Sequence, residues 1–123
     1  MGLFDMIMIK DNHIKAAGGI KKAVEMVRKK YGSRYIVEVE TSSMEEVADA
    51  LSSGADIIML DNMEIEMVGR AVELIHKKAK VEISGNVEQE RIIGIRHLAV
   101  DYISMGALTH SVRAFDFSMT FRK

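Results

Sequence analysis

Two periodicities alternate along the chain, and that alternation constrains the fold more than anything else in it. Met6–Lys10, "MIMIK", is an apolar run ending in charge. Gly19–Tyr31, "GIKKAVEMVRKKY", sets Ile20, Ala23, Val24 and Val27 at helical spacing. Tyr35–Glu40, "YIVEVE", reads as a second strand. Ser43 then caps "MEEVADALSSG", with Glu46 completing a capping box and Gly54 as the stop. Asp56–Leu60, "DIIML", is continuous and apolar, as strands of a parallel sheet are. Glu64–Lys78 predicts a third helix, acidic at its start and basic at its end, which suits the helix macrodipole. Val81–Ser84, Val87–Leu98 and Tyr102–Met105 continue as strand, helix and strand. The tail "RAFDFSMTFRK" alternates like one more strand.

Strict alternation with short connections predicts one α/β unit of parallel strands with right-handed crossovers. Two architectures stay open: a doubly wound open sheet, or part of a (β/α) barrel. A complete eight-fold barrel needs about 250 residues. This chain has 123, so its repeats are those of a half-barrel.

Composition excludes several functions. The net charge of −1 gives no broad attraction to nucleic acid or an anionic membrane. The absence of cysteine excludes a disulfide framework and a thiolate zinc site, and fits a reducing cytoplasm. No apolar run approaches the roughly 20 residues that cross a bilayer. "MGLFDMIMIKDNHI" has charges within it and lacks the basic start of a signal peptide.

In both architectures function gathers at the C-terminal ends of the strands. The expected strands end in Lys10-Asp11-Asn12-His13, Glu38-Val39-Glu40, Asp61-Asn62, Ser84-Gly85-Asn86 and Gly106-Ala107. All five carry groups useful for chemistry or for phosphate binding. Lys10 is a cation. Glu40 and Asp61 are carboxylates on adjacent strands, neighbours about 4.8 Å apart across a sheet. Hard carboxylates without softer ligands suit Mg²⁺, which one or two carboxylates and substrate oxygens usually hold. Ser84-Gly85-Asn86 and Gly106-Ala107 are small-residue turns whose backbone N–H groups can cradle a phosphate. The residues point to an anionic, phosphorylated substrate with a divalent cation.

Each feature also has a plainer reading. Lys10 can be solvated surface at the end of a strand. Glu38 and Glu40 alternate with Val37 and Val39 and can face one wet side. "LDN" can be a helix entry with Asp61 or Asn62 as N-cap. Gly18-Gly19 reads as a helix opening. His76 and His97 read as surface residues, and His110, between Thr109 and Ser111, as a loop histidine. Met26, Met44, Met63 and Met67 read as filler on helical faces.

Together, "GLFDMIMIKDNHI", "VEVE", "GADIIMLDNM", "EISGN" and "YISMGALTHSV" resemble quinolinate phosphoribosyltransferase in order and spacing, from Gly2 to about Met119. The resemblance implies phosphoribosyl transfer from phosphoribosyl pyrophosphate to the ring nitrogen of quinolinate. Loss of CO₂ gives nicotinate mononucleotide, and pyrophosphate leaves with Mg²⁺. It also implies roles. Lys10 matches a lysine that contacts quinolinate. Glu40 and Asp61 match carboxylates that hold the ribose hydroxyls and the metal. Ser84, Gly85, Gly106 and Ala107 match phosphate-binding loops, and His110 matches a histidine near them. Asn86 departs from the family, which usually has a second glycine there. Asn tolerates left-handed backbone angles, so the loop is expected to survive.

The resemblance further implies an N-terminal sandwich domain, the first barrel strands and several cations that grip the quinolinate carboxylates, one of them from a partner subunit. None of these is in this sequence. Residues 1–123 are therefore expected to form a partial α/β barrel, the C-terminal half of a TIM-like barrel, with the ribose, metal and phosphate half of the site. Low activity alone and association into a dimer or larger assembly are expected. The alternatives are a non-catalytic fragment and a related nicotinate phosphoribosyltransferase.

Overall fold

Five strands pair in the order in which the chain meets them, and every pair is parallel. They are β1 (Met6–Ile9), β2 (Ile36–Thr41), β3 (Ile57–Asp61), β4 (Lys80–Gly85) and β5 (Tyr102–Met105). The helices between them are α1 (Asp11–Ala17), α2 (Ile20–Tyr31), α3 (Met44–Ser52) and α4 (Ile65–Ile75). The structure is a computed structural model and describes residues 6–85 and 93–105.

The sequential order decides between the two architectures. A doubly wound sheet reverses its strand order at a switch point. Here no reversal occurs, so right-handed crossovers put every helix on the same face of the sheet. That is the arrangement of a barrel wall.

The register separates the two faces. Ile7 and Ile9 on β1, Val37 and Val39 on β2, Ile58 and Leu60 on β3, and Val81 and Ile83 on β4 share the helix-covered face. All are buried. Against them pack Ile20, Ala23, Val24 and Val27 of α2, the four positions whose spacing predicts the helix. Val47 and Ala50 of α3 and Val68, Ala71 and Ile75 of α4 complete this core. The opposite, inner face carries Met6, Met8, Glu38, Glu40, Met59, Asp61, Glu82, Ser84 and Ser104. Barrel walls alternate in this way.

Three local results differ from the sequence reading. Residues Asp11–Ala17 form a seven-residue helix, α1, that was not expected. Lys10 is therefore not the last residue of a strand but the N-cap of α1, and its N–H donates to His13 Nδ1 at 3.3 Å. The helix expected over Glu64–Lys78 stops at Ile75, because His76 and Lys77 both adopt left-handed backbone angles. Its terminal lysines therefore lie beyond the helix. "LDN" is not a helix entry either: Asp61 ends β3, Asn62 has φ +56°, and Glu64 is the N-cap of α4.

Gly18 and Gly19 both have positive φ, and they end α1 and start α2. Ser43 Oγ accepts the N–H of Glu46 at 3.2 Å, and Glu46 Oε1 reaches back to the N–H of Ser42 at 2.7 Å. The helix expected over Val87–Leu98 is helical at 93–95, and its earlier part lies outside the described residues, as does the tail strand. No described helix is long and apolar enough to cross a membrane.

Candidate active site

The site is built on strand ends because parallel (β/α) repeats leave one set of strand termini free for function. Glu40 is the fifth residue of β2 and points to the inner face. Asp61 ends β3 on the same face, two residues beyond Met59, the register partner of Glu40. The upward stagger of parallel strands brings the two carboxyls together, close enough to interact by charge and by hydrogen bonding. Lys10 approaches from the β1–α1 junction, and the N–H of Asp11, at the first turn of α1, donates to the Glu40 carboxyl. The unexpected helix thus aims a backbone donor at the site.

Burial, first, and the neighbouring Asp61 push Glu40 above its ordinary carboxylate range; the Asp11 N–H and the Lys10 charge oppose this without cancelling it. Two half-buried carboxyls forced together are a poor arrangement unless a cation joins them. Their hard oxygen donors fit Mg²⁺, which needs only one or two protein carboxylates. Among the described residues no group of three metal-binding side chains gathers, and Glu40 and Asp61 are the pair that would hold such an ion.

β4 continues the row. Ser84 is the register partner of Asp61, and Ser104 is the register partner of Ser84. The N–H of Asn62 donates to the Ser84 carbonyl at 2.9 Å. Gly85 has φ +118°, and a side chain there would meet the backbone N and Cα of Asn62 at 3.1 Å. "LDN" and "SG" are therefore two halves of one backbone contact. The glycine is required by that close approach whatever the loop binds.

Lys10, Glu40 and Asp61 are brought together, with Ser84 and Gly85 beside them. Asn86, Gly106, Ala107 and His110 lie outside the described residues. The sequence reading missed two contributors. One is the Asp11 N–H, hidden because "DNHIKAA" is too short to show a helical period. The other is an acidic layer beneath the site. Glu38 is buried, its carboxyl abuts that of Glu82, and Ser104 Oγ donates to Glu82 Oε2. The alternation of "VEVE" placed Glu38 on the same face as Glu40, but nothing local showed that Glu82 would meet it. A cleft of about 1280 Å³ opens at the other end of the strands, between Leu51, Asp56, Val72, Lys80 and Asp101. It contains none of the expected site residues.

The family described as quinolinate phosphoribosyl transferase, C-terminal domain, matches residues 1–120. The chain belongs to that family. It is 47% identical over 137 aligned residues to the chloroplastic nicotinate-nucleotide pyrophosphorylase [carboxylating] of Arabidopsis thaliana, covering 97% of this chain and 39% of that protein. It is 42% identical over 118 residues to the probable nicotinate-nucleotide pyrophosphorylase [carboxylating] of Bacillus subtilis, covering 96% and 41%. The nicotinate-nucleotide pyrophosphorylase structure from Francisella tularensis superposes with a TM-score of 0.79 at 43% identity, over 94% of this chain and 41% of that one. The chain thus spans about two fifths of the length of these quinolinate phosphoribosyltransferase-family relatives. The likeness agrees with a half-barrel wall rather than a doubly wound sheet.

Proposed function

We propose that this chain forms the ribose- and phosphate-binding half of a quinolinate phosphoribosyltransferase. The reaction moves the phosphoribosyl group of phosphoribosyl pyrophosphate to the ring nitrogen of quinolinate. Loss of a carboxylate as CO₂ leaves nicotinate mononucleotide, and pyrophosphate departs. The observation that carries the reading is the meeting of Lys10, Glu40 and Asp61 at the ends of adjacent strands, next to Ser84 and Gly85.

Each residue has a role that its surroundings support. Glu40 and Asp61 accept hydrogen bonds from the ribose hydroxyls. Their negative charge stabilises the positive charge that grows on the ribose as the bond to pyrophosphate breaks. Ser84 and Gly85 serve the phosphate side; Asn86, Gly106, Ala107 and His110, which lie outside the described residues, are assigned to it by the family resemblance. Lys10 contacts the quinolinate carboxylate nearest the β1–α1 junction. Mg²⁺, held by Glu40 and Asp61, would neutralise charge on the leaving pyrophosphate. Burial, and after it the like charge of Asp61, keep Glu40 above its ordinary range, and a divalent cation between the two carboxyls would relieve that repulsion.

Isothermal titration of the purified chain with phosphoribosyl pyrophosphate and Mg²⁺ tests this reading. Binding is expected in the parent and is expected to disappear in Glu40→Ala and in Asp61→Ala, with circular dichroism unchanged. A folded parent that binds nothing, or variants that bind as the parent does, would leave the non-catalytic alternative standing.

A further inference from the structure

On β2, β3 and β4 the face that the helices cover is apolar except at one position. Val37 and Val39, Ile58 and Leu60, and Val81 and Ile83 lie on it, all buried. Thr41, the register partner of Leu60, continues the row and is the polar exception among the described side chains of these strands on that face. It is 1% exposed. A buried hydroxyl is costly unless it is hydrogen-bonded, and valine has nearly the same shape without that cost. The hydroxyl is bonded: Thr41 Oγ1 donates to the main-chain carbonyl of Met59 on β3 at 2.8 Å. The chain thus carries a polar group, tied across to the next strand, where packing alone would take valine.

The place of this bond in the sheet relates it to the proposed site. Thr41 is the last residue of β2 and follows Glu40 directly. Met59 is the register partner of Glu40 and stands two residues before Asp61. The ladder between β2 and β3 ends at the pair Thr41 and Leu60, so Asp61 stands one residue beyond its last rung. After Thr41 the chain leaves the sheet, and Ser43 caps α3. Local opening is easiest where an element ends. The Thr41 hydroxyl adds a link between the two strands at that end.

We propose that Thr41 is a positioning residue for the sugar and metal half-site, its hydroxyl fastening the end of β2 to β3 and so fixing Glu40 relative to Asp61. The inference rests on the proposed ribose-phosphate function. Thr41 touches no substrate in this role, because its side chain lies on the helix-covered face while Glu40 and Asp61 lie on the inner one. It acts through the backbone that carries Glu40. A binding constellation must be held to within about 0.5 Å of its productive geometry, so freedom at the end of β2 weakens it. Valine in place of Thr41 keeps the shape and loses the donor. Serine keeps the donor and loses a methyl group.

The two substitutions separate tying from mere packing, because the two roles order them oppositely. If Thr41 only fills space, valine is harmless and serine, which leaves a methyl-sized gap, is the worse. If it fastens the strands, valine is the worse. With circular dichroism like the parent's in both, Thr41→Val is expected to weaken binding of phosphoribosyl pyrophosphate with Mg²⁺ about tenfold, and Thr41→Ser to bind within about twofold of the parent. NMR shifts supply a readout that needs no ligand. The carbonyl carbon of Met59 reports the hydroxyl bond, and the backbone amide of Asp61 reports the strand end. Both are expected to move in Thr41→Val and to stay in place in Thr41→Ser. Thr41→Val binding like the parent, or serine losing as much as valine, would overturn the positioning role. If the parent binds no phosphoribosyl pyrophosphate, the functional reading fails on its own. The shifts then decide the tie: an unmoved Asp61 amide in Thr41→Val sinks it, and movement that serine restores supports it.

Discussion

Glu38 and Glu40 differ by two positions and share a strand face, yet the structure gives them different chemistry. Glu40 lies at the strand end with a cation and a backbone donor in reach. Glu38 lies one layer deeper, where burial, the Glu82 carboxyl and the Glu40 charge push it up to about 10. The sign of the pH effect follows. The ordinary value for the unfolded chain is 4.5, so between 4.5 and about 10 the folded state holds a proton that the unfolded state has released. The contribution of Glu38 to stability is complete below 4.5 and is lost as the pH rises toward 10. The slope for this group is at most about 1.4 kcal/mol per pH unit. Urea unfolding across this range is expected to show declining stability for the parent and a flatter profile for Glu38→Gln. An equal decline in both would refute the assignment. At the other end of the site, Gly85→Ala places a methyl group 3.1 Å from the Asn62 backbone at φ +118°. It is expected to cost about 1–3 kcal/mol in thermal or urea unfolding.

At the scale of elements, the strands are aligned by a device that occurs twice. Asp56, just before β3, accepts the N–H of Val37 on β2 at 2.9 Å. Asp101, just before β5, accepts the N–H of Val81 on β4 at 2.8 Å. Each aspartate satisfies a backbone donor at the start of the preceding strand and so sets the register on which the far ends depend. Asp56 also pairs with Arg28 at 3.0 Å, but that ion pair is partly exposed and contributes less. Asp56→Ala and Asp101→Ala are each expected to lower unfolding stability by about 1–2 kcal/mol. An unchanged denaturation midpoint in both variants would mean that the donors find water at no cost. The helices are less uniform. α2 was legible because its apolar positions recur over three turns, whereas α1 has Ile14 as its only buried residue. A single apolar position carries no period, so this helix emerges only when Lys10 caps it against β1.

The described strands form one parallel sheet with the connecting helices on one side. β1 and β5 each have one edge without a partner among the described strands, and the inner face carries acidic groups between methionines. Open edges of parallel strands invite pairing. Sedimentation at micromolar concentration is expected to show a dimer or larger species; a clean monomer would count against this. Activity belongs to the same scale. Quinolinate carries two carboxylates, while Lys10 is the cation that the described residues bring to Glu40. Turnover of quinolinate by the 123-residue chain is expected to fall far below that of a full-length relative. A comparable rate in a steady-state assay would contradict it.

Much of this protein was written in local pattern. The alternation of strand and helix, the parallel pairing and the placement of Glu40, Asp61, Ser84 and Gly85 at strand ends all follow from residues close in the chain, because periodicity and turn chemistry act over a few residues. Periodicity left a barrel wall and a doubly wound sheet both open; the family resemblance implied the barrel, and the strand order that decides it came with the tertiary structure, because side-chain pattern does not say which strand lies beside which. The same holds for the contact of Asn62 with Gly85 and for Glu38 meeting Glu82 across an intervening strand. These groups are more than twenty residues apart in the chain, and only the stagger of the folded sheet makes them neighbours.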